Sequence, residues 1–143
     1  MKANELIDNF YNNFAYFNCF DGSKIIVRVT GFSDGIVYGD SEDGSHWCNI
    51  EKVEPIPITH EIIEKNDFIP NNHLYPYLYY EYENKDENLK IGFGFPQGDK
   101  TAYKDPFIYI DSENVFIEHL PCKYVHELQQ ILKLCQIEKE IVI

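Results

Sequence analysis

One short stretch near the end of the chain holds its densest group of potential metal ligands: Glu118, His119, Cys122 and His126. Zinc sites need three or four converging ligands, and structural sites usually contain a closely spaced pair of cysteines. The sequence has no Cys-x-x-Cys pair. We therefore expect no bound metal, and we interpret Cys122 as a packing residue and His126 as a residue that faces solvent or caps a neighbour.

Other residue pairs resemble catalytic or binding motifs only in part. Glu81 and Glu83 share one face of a predicted strand, as paired glycosidase carboxylates would, but Tyr/Glu alternation is also typical of the solvent face of a sheet. Gly92 and Gly94 lack the third glycine and the helix of a phosphate-binding loop. A cysteine nucleophile needs a nearby base and an oxyanion donor, and no cysteine lies in a sharp turn or next to a Gly-rich segment that would provide them. The sequence thus predicts no catalytic residue and no cofactor.

Tyrosines are unusually dense before and within the strand that carries the two glutamates: Tyr75, Tyr77, Tyr79, Tyr80 and Tyr82. Successive side chains of a strand point to opposite faces, so these five cannot all be buried on one face. Exposed tyrosine is typical of protein interfaces, whereas crowded core packing is the plainer explanation. We treat the five as a candidate interface and keep both readings open.

Composition limits the partners of this chain. Its 143 residues suit one domain or two small lobes, and its 44% hydrophobic content is enough for a folded core. The net charge of -12 and the single arginine, Arg28, argue against direct binding to nucleic acid or to anionic lipid. No apolar run is long enough to span a membrane and no signal core follows Lys2, so we expect a cytoplasmic protein with reduced cysteines.

The first half of the chain reads as small antiparallel β-structure. Asp-Gly pairs at positions 21, 34 and 43 mark tight turns between β-branched and aromatic segments. They separate four predicted strands: residues 14–20, 24–30, 36–39 and 46–53. Within the last of these, we expect Trp47 and Ile50 to contact the core. Pro55 and Pro57 then mark a boundary, because proline cannot donate a ladder hydrogen bond.

The second half reads as a short helix, two hairpins and a final helix. Thr59 is a predicted N-cap for a helix that ends near Asn66. Alternating residues predict hairpins of 77–83 with 89–95 and of 107–110 with 115–120. Residues 122–137 change to helical spacing, with an apolar stripe that includes Val125, Leu128 and Leu132. We expect this amphipathic helix to cover one face of the meander.

Three strings stand out along the chain: the opening, residues 1–6, the Pro-Ile-Pro link in residues 53–59, and the start of the final helix, residues 123–129. Together they resemble a family of uncharacterised small proteins often encoded in prophages and mobile elements of gut bacteria. Family members carry a Pro-Ile-Pro-Leu-Thr link and a closing helix that starts Tyr-Val-His-Gln-Leu-Gln. The resemblance implies an SH3-like N-terminal half and a mobile-element context, and it supplies no activity or site residue.

Together these observations predict an α+β protein with an SH3-like β-barrel lobe in residues 1–58 and a helix, meander and closing helix in residues 59–143. The function we expect is that of a non-enzymatic interaction module, which binds a protein partner or itself. The alternatives are an acidic mimic of nucleic acid that occupies a basic groove on a defence or replication protein, and a small enzyme of unknown class.

Overall fold

A computed structural model of the protein describes residues 10–71, 77–97 and 104–143. The chain divides into two compact units. The N-terminal unit runs to Pro57 and also contains Tyr124–Lys139, and the meander unit contains Ile58–Lys123 and Glu140–Ile143. Each unit is built on one five-stranded antiparallel sheet.

The sheet of the N-terminal unit contains β1 (Phe14–Asn18), β2 (Lys24–Ser33), β3 (Ile36–Ser41), β4 (Gly44–Asn49) and β5 (Val53–Glu54). Its strand order is β4-β3-β2-β1-β5, and a 3₁₀ turn over Ile50–Lys52 connects β4 to β5. The predicted Asp-Gly turns are confirmed, since Gly22, Gly35 and Gly44 all have positive φ, which glycine adopts without strain.

Aliphatic and aromatic side chains from alternate strand positions form the core of this unit, among them Phe17, Val27 and Val37. Trp47 does not join them: its side chain is 65% exposed, so the expected core contact is wrong. Val37 pairs with Cys48, which packs against the core, and the strand alternation therefore turns Trp47 outward.

The final helix, which we label α2 (Val125–Leu134), groups with the N-terminal unit. It contacts β1, and the Val125 N–H donates to the Ile56 carbonyl across 2.9 Å. At its start, the Tyr124 N–H donates to the Glu127 carboxylate across 3.1 Å. The sequence assigned this helix to the second half of the chain, because an amphipathic stripe predicts burial of one face without identifying the surface that covers it.

The meander unit contains α1 (His60–Lys65), β6 (Ile69–Asn71), β7 (Tyr77–Asn84), β8 (Leu89–Pro96), β9 (Phe107–Asp111) and β10 (Phe116–Pro121). Each strand pairs with its sequence neighbour in the order β10-β9-β8-β7-β6. The Thr59 cap is confirmed, as its Oγ1 accepts a hydrogen bond from the Ile62 N–H. Ile91, Phe93, Ile108 and Ile110 are fully buried on one face of the sheet.

Asn66 is a buried polar residue that connects α1 to the last residues of the meander unit. Its Nδ2 donates to the carbonyls of Ile62 and Val142 across 2.8 and 2.7 Å. Its Oδ1 accepts from the Val142 N–H across 2.7 Å. The amide thereby pairs with main chain on both sides, as a neighbouring strand would.

The α+β class and the antiparallel hairpins predicted from the sequence are confirmed. The two shortest strands, β5 and β6, were not predicted, because two or three residues next to prolines carry no period-2 pattern. Among the described residues, no helix has the length and apolar character that crossing a membrane requires.

Candidate functional site

The predicted tyrosine cluster is largely packed within the meander unit. Tyr75 lies outside the described residues. Tyr80 is only 3% exposed and belongs to the core, whereas Tyr77, Tyr79 and Tyr82 are half-buried. Tyr77 and Tyr79 make edge contacts with the buried Phe107 ring at 5.5 and 5.9 Å. This half-buried packing is the plainer explanation of the tyrosine density.

The Tyr80 hydroxyl is the centre of a small polar network between α1 and β7. It donates to a Glu64 oxygen at 3.1 Å, and His60 Nδ1 lies 3.1 Å away on another side. The His60 ring stacks on Phe95 at 4.2 Å. Burial and then the Glu64 carboxylate raise the pKa of Tyr80. A raised pKa disfavours the tyrosinate that a general base would require, so the network serves to satisfy a buried hydroxyl.

A second tyrosine–carboxylate pair lies on the opposite face of the sheet, where Tyr109 crosses Gly92 and donates to Glu81. Burial is the main cause of the raised pKa of Tyr109, and the hydrogen bond to Glu81 adds to it. Glu83 is exposed further along the same strand face. Because Glu81 is engaged with Tyr109, the two glutamates do not form a free carboxylate pair of the glycosidase kind.

The four candidate metal ligands are divided between the units. Glu118, His119 and Cys122 lie in the meander unit, and His126 lies in the N-terminal unit. His119 sits in a bulge of β10 and contacts Phe107, while Cys122 is fully buried. In the part of the chain that the structure describes, no three His, Cys, Asp or Glu residues are grouped so as to hold a metal ion.

His126 is buried between two aromatic rings and is not the exposed residue expected from its place near a helix start. Its ring lies 4.4 Å from that of Phe10 and is stacked 5.7 Å from that of Tyr124. Its Nδ1 atom has no hydrogen-bond partner among the described residues. Burial lowers the pKa of His126, against a smaller opposite effect of Glu127. The ring therefore favours its neutral form.

The pKa values of two thiols, Cys48 and Cys135, are raised. Burial, with a smaller effect of Cys19, raises the pKa of Cys48 to about 11, and burial also raises the pKa of Cys135. A cysteine nucleophile needs the opposite shift. A groove of about 330 Å³ lies between the β7–β8 and β9–β10 turns. Its lining is mostly charged and polar, unlike the apolar enclosure typical of small-molecule sites.

The outer surface of β3 and β4 presents the feature that sequence reasoning missed. Trp47 and Tyr38 are directly opposite each other on adjacent strands, and they are 65% and 42% exposed. Asp40, Glu42 and Asp43 are exposed in or next to the turn that connects the two strands. We call these five residues the Trp47 surface. Tryptophan and tyrosine are enriched at the energetic centres of protein interfaces, and Trp47 is the only tryptophan of the chain.

The alternation of side chains between the two faces of β4 would have identified this surface from the sequence. Trp47 and Ile50 are an odd number of residues apart, so one regular strand cannot direct both to the core. The half-buried His46 and Cys48 alternate with the exposed Ser45, Trp47 and Asn49. His46 Nε2 lies 2.8 Å from the Ser41 hydroxyl, which explains its orientation without a ligand.

Comparison of the chain with protein-family models, curated proteins and solved structures finds no match in any of the three.

Proposed function

We propose that the protein is a non-enzymatic interaction module and that it contacts a protein partner through the Trp47 surface. The observation that carries this proposal is the exposed cross-strand pair of Trp47 and Tyr38. Large aromatic side chains stabilise a complex strongly when a partner removes them from water, because each buries a large apolar area. Left uncovered, they contribute little to the fold of the unit that carries them.

The chemistry of the rest of the chain supports a binding role over catalysis. The pKa values of the Tyr80 and Tyr109 hydroxyls are raised, which disfavours the ionised form that a base requires. Both thiols with shifted pKa are shifted in the same direction. An active site usually brings together groups whose pKa values are moved towards neutrality.

We also propose that the N-terminal unit is an SH3-like module. Its order of strands, in which β5 returns to pair with β1 after a 3₁₀ turn, supports this, as does the approach of β4 to β1. SH3 domains bind extended peptides in aromatic-lined grooves, so exposed aromatic residues on such a module fit a binding role. The prophage-like strings add the proposal of a cytoplasmic accessory protein of a mobile element.

The test compares two equally drastic losses of exposed aromatic surface. Wild-type protein, Trp47→Ala and Phe116→Ala are immobilised and exposed to a lysate of the source cells, and the captured proteins are quantified by mass spectrometry. Phe116 is the matched control, since it is 70% exposed and lies on β10 of the meander unit. We expect Trp47→Ala to lose the specific partner and Phe116→Ala to retain it.

Equal capture by all three proteins would contradict the proposal. Thermal unfolding of each variant, measured beforehand, establishes that the loss reflects the surface and not the fold. We expect both variants to unfold within a few degrees of the wild type, because exposed substitutions usually change stability by roughly 0.5 kcal/mol or less.

A further inference from the structure

The edges of the two sheets are not protected equally. Among the strands that the structure describes, four form these edges: β4 and β5 in one sheet, β6 and β10 in the other. β5 has two residues and is followed by Pro55, and β6 has three residues that include Pro70. β10 has a register shift, a positive φ at His119 and a terminal Pro121. Short length, proline and bulges are the devices by which natural sheets prevent pairing with other chains.

β4 carries none of these devices. Its six residues pair with β3 in an unbroken register, and none is a proline or a lysine. No residue of the strand is buried. Among the described residues, its other side pairs with no strand. β4 is thus a regular, accessible edge, which is the template for addition of an extended chain.

The register identifies the main-chain groups that point to this open side. The Ile50 N–H donates to the Gly35 carbonyl, and hydrogen-bonded pairs alternate with non-hydrogen-bonded pairs along an antiparallel ladder. The pairs of β4 with β3 that include Ser45, Trp47 and Asn49 are therefore the non-hydrogen-bonded ones. The N–H and C=O groups of these three residues face away from β3. The edge thus offers donors and acceptors on either side of the exposed indole.

The charge around the β3–β4 hairpin indicates which kind of partner segment could bind at the β4 edge. Residues 29–51 contain five acids and no lysine or arginine. Four of the acids are exposed around the β3–β4 hairpin: Asp34, Asp40, Glu42 and Asp43. A second copy of this chain would bring a second set of the same acids to the edge, which like-charge repulsion opposes. A lysine- or arginine-containing strand would meet complementary charge and would place a cation near the face of Trp47.

We propose that β4 accepts an extended basic segment of a partner protein as a sixth strand of the sheet. The segment binds main chain to main chain along Ser45, Trp47 and Asn49, and its side chains contact the Trp47 surface. This inference rests on the proposed function and adds to it the chemistry and geometry of the partner.

The experiment uses the fluorescence of Trp47 in the full chain. The probe is a synthetic peptide of alternating lysine and valine, about as long as β4, and the control peptide alternates glutamate and valine. We expect the basic peptide to shift the emission and to protect Trp47 from acrylamide quenching, with saturation, and the acidic peptide to do neither. We expect added salt to weaken binding, because screening reduces attraction between exposed charges.

Two variants at one position test strand addition itself. Ser45→Pro removes a donor on the open side and leaves the ladder to β3 unaffected, whereas Ser45→Ala keeps that N–H. Both lose the 2.9 Å hydrogen bond from the Ser45 hydroxyl to Asp40, so they are matched in that respect. We expect Ser45→Pro to weaken peptide binding by about tenfold or more and Ser45→Ala to bind as the wild type does. If Ser45→Pro fails to fold, Glu42→Lys replaces it, and we expect weaker binding of the basic peptide.

Wild-type affinity in Glu42→Lys would overturn the choice of a basic segment, and wild-type affinity in Ser45→Pro would overturn strand addition. So would a wild type that does not bind the basic peptide, or one whose Trp47 is protected only by concentration-dependent self-association. The proposed function fails separately, when Trp47→Ala still captures the partner. A partner lost by Trp47→Ala but bound normally by Ser45→Pro would leave the interaction surface in place and exclude the added strand.

Discussion

The phenolic hydroxyl of Tyr109 donates a 2.5 Å hydrogen bond to the Glu81 carboxylate, from β9 across β8 to β7. The two strands are not neighbours, and Gly92 between them has no side chain to separate the pair. A Cβ at Gly92 would lie 1.8 Å from the Tyr109 ring. Gly92, Tyr109 and Glu81 thus form a single interaction that connects three strands.

The raised pKa of Tyr109 predicts a loss of stability at alkaline pH. A raised pKa means that folding favours the protonated hydroxyl, so the contribution is complete below the ordinary tyrosine pKa of about 10 and is lost as the pH rises towards the folded value. We expect the urea midpoint of the wild type to fall above about pH 10 and that of Tyr109→Phe to fall less steeply. The exposed Tyr38→Phe serves as the control, and equal slopes in both variants would contradict the assignment.

Substitution of Gly92 should damage the meander unit. Gly92→Ala forces a methyl group into the Tyr109 ring, and overpacking of this kind costs about 1 to 3 kcal/mol. Gly31→Ala is the matched control, because nothing lies within 4 Å of a Cβ at Gly31. Equilibrium urea unfolding should separate the two variants, and a Gly92→Ala protein as stable as Gly31→Ala would show that Tyr109 is free to move aside.

Two leucines of α2 offer the same chemical change at opposite levels of burial. Leu128 is fully buried and Leu134 is 84% exposed. We expect Leu128→Ala to cost about 2 to 5 kcal/mol of the free energy of unfolding, because truncation of a buried leucine leaves a cavity. Leu134→Ala should change it by less than about 0.5 kcal/mol. Similar denaturation midpoints for the two would refute the packing of α2 against the N-terminal unit.

Acid should destabilise the N-terminal unit through His126. Its lowered pKa favours the neutral ring in the folded state, so stability is complete above the ordinary histidine pKa of about 6.5 and declines as the pH falls through the folded value. His126→Phe should reduce this decline between about pH 7 and pH 5, and it also removes the unpartnered Nδ1. His46→Gln, on β4, should retain the acid sensitivity. Thermal midpoints measured across that range test both expectations.

Asn66→Ala should cost about 1 to 3 kcal/mol, because it removes the hydrogen bonds of a buried side chain to the main chain of Ile62 and Val142. Amide hydrogen exchange at Val142 provides a local readout, and we expect faster exchange there. The exposed Asn114→Ala should alter neither quantity. Unchanged exchange at Val142 would show that the side-chain amide is not what secures this segment.

The sequence predicted the positions of helices and strands better than it predicted which way individual side chains point. The hairpins of the meander unit followed from alternation, and the Thr59 cap followed from its position before an apolar pair. The orientation of Trp47 was wrong because hydrophobicity alone was taken to assign it to the core, although strand parity assigns Cys48 instead. The sequence also carried no sign that the Tyr109 and Phe107 rings lie against Gly92 and Gly94, because the glycines and the rings belong to different strands.

The candidate surface could not be read from the sequence for a related reason. Tyrosine density drew attention to β7, where Tyr80 is buried and its neighbours are half-buried. The Trp47 surface depends on which strand lies at a sheet edge, and edge position is a property of strand order. Strand order results from pairing between distant segments, which local patterns do not encode.

The discontinuity of the N-terminal unit bears on how the chain is made. A ribosome adds roughly 5 to 20 residues per second, so the β1–β5 sheet emerges on the order of several seconds before Tyr124–Lys139 is synthesised. During that interval the part of β1 that α2 will contact is uncovered, and β4 remains an unprotected edge of the same sheet. We therefore expect the nascent chain to be most prone to aggregation while residues 58–123 are being synthesised, and an early encounter of β4 with the proposed basic segment would protect that edge.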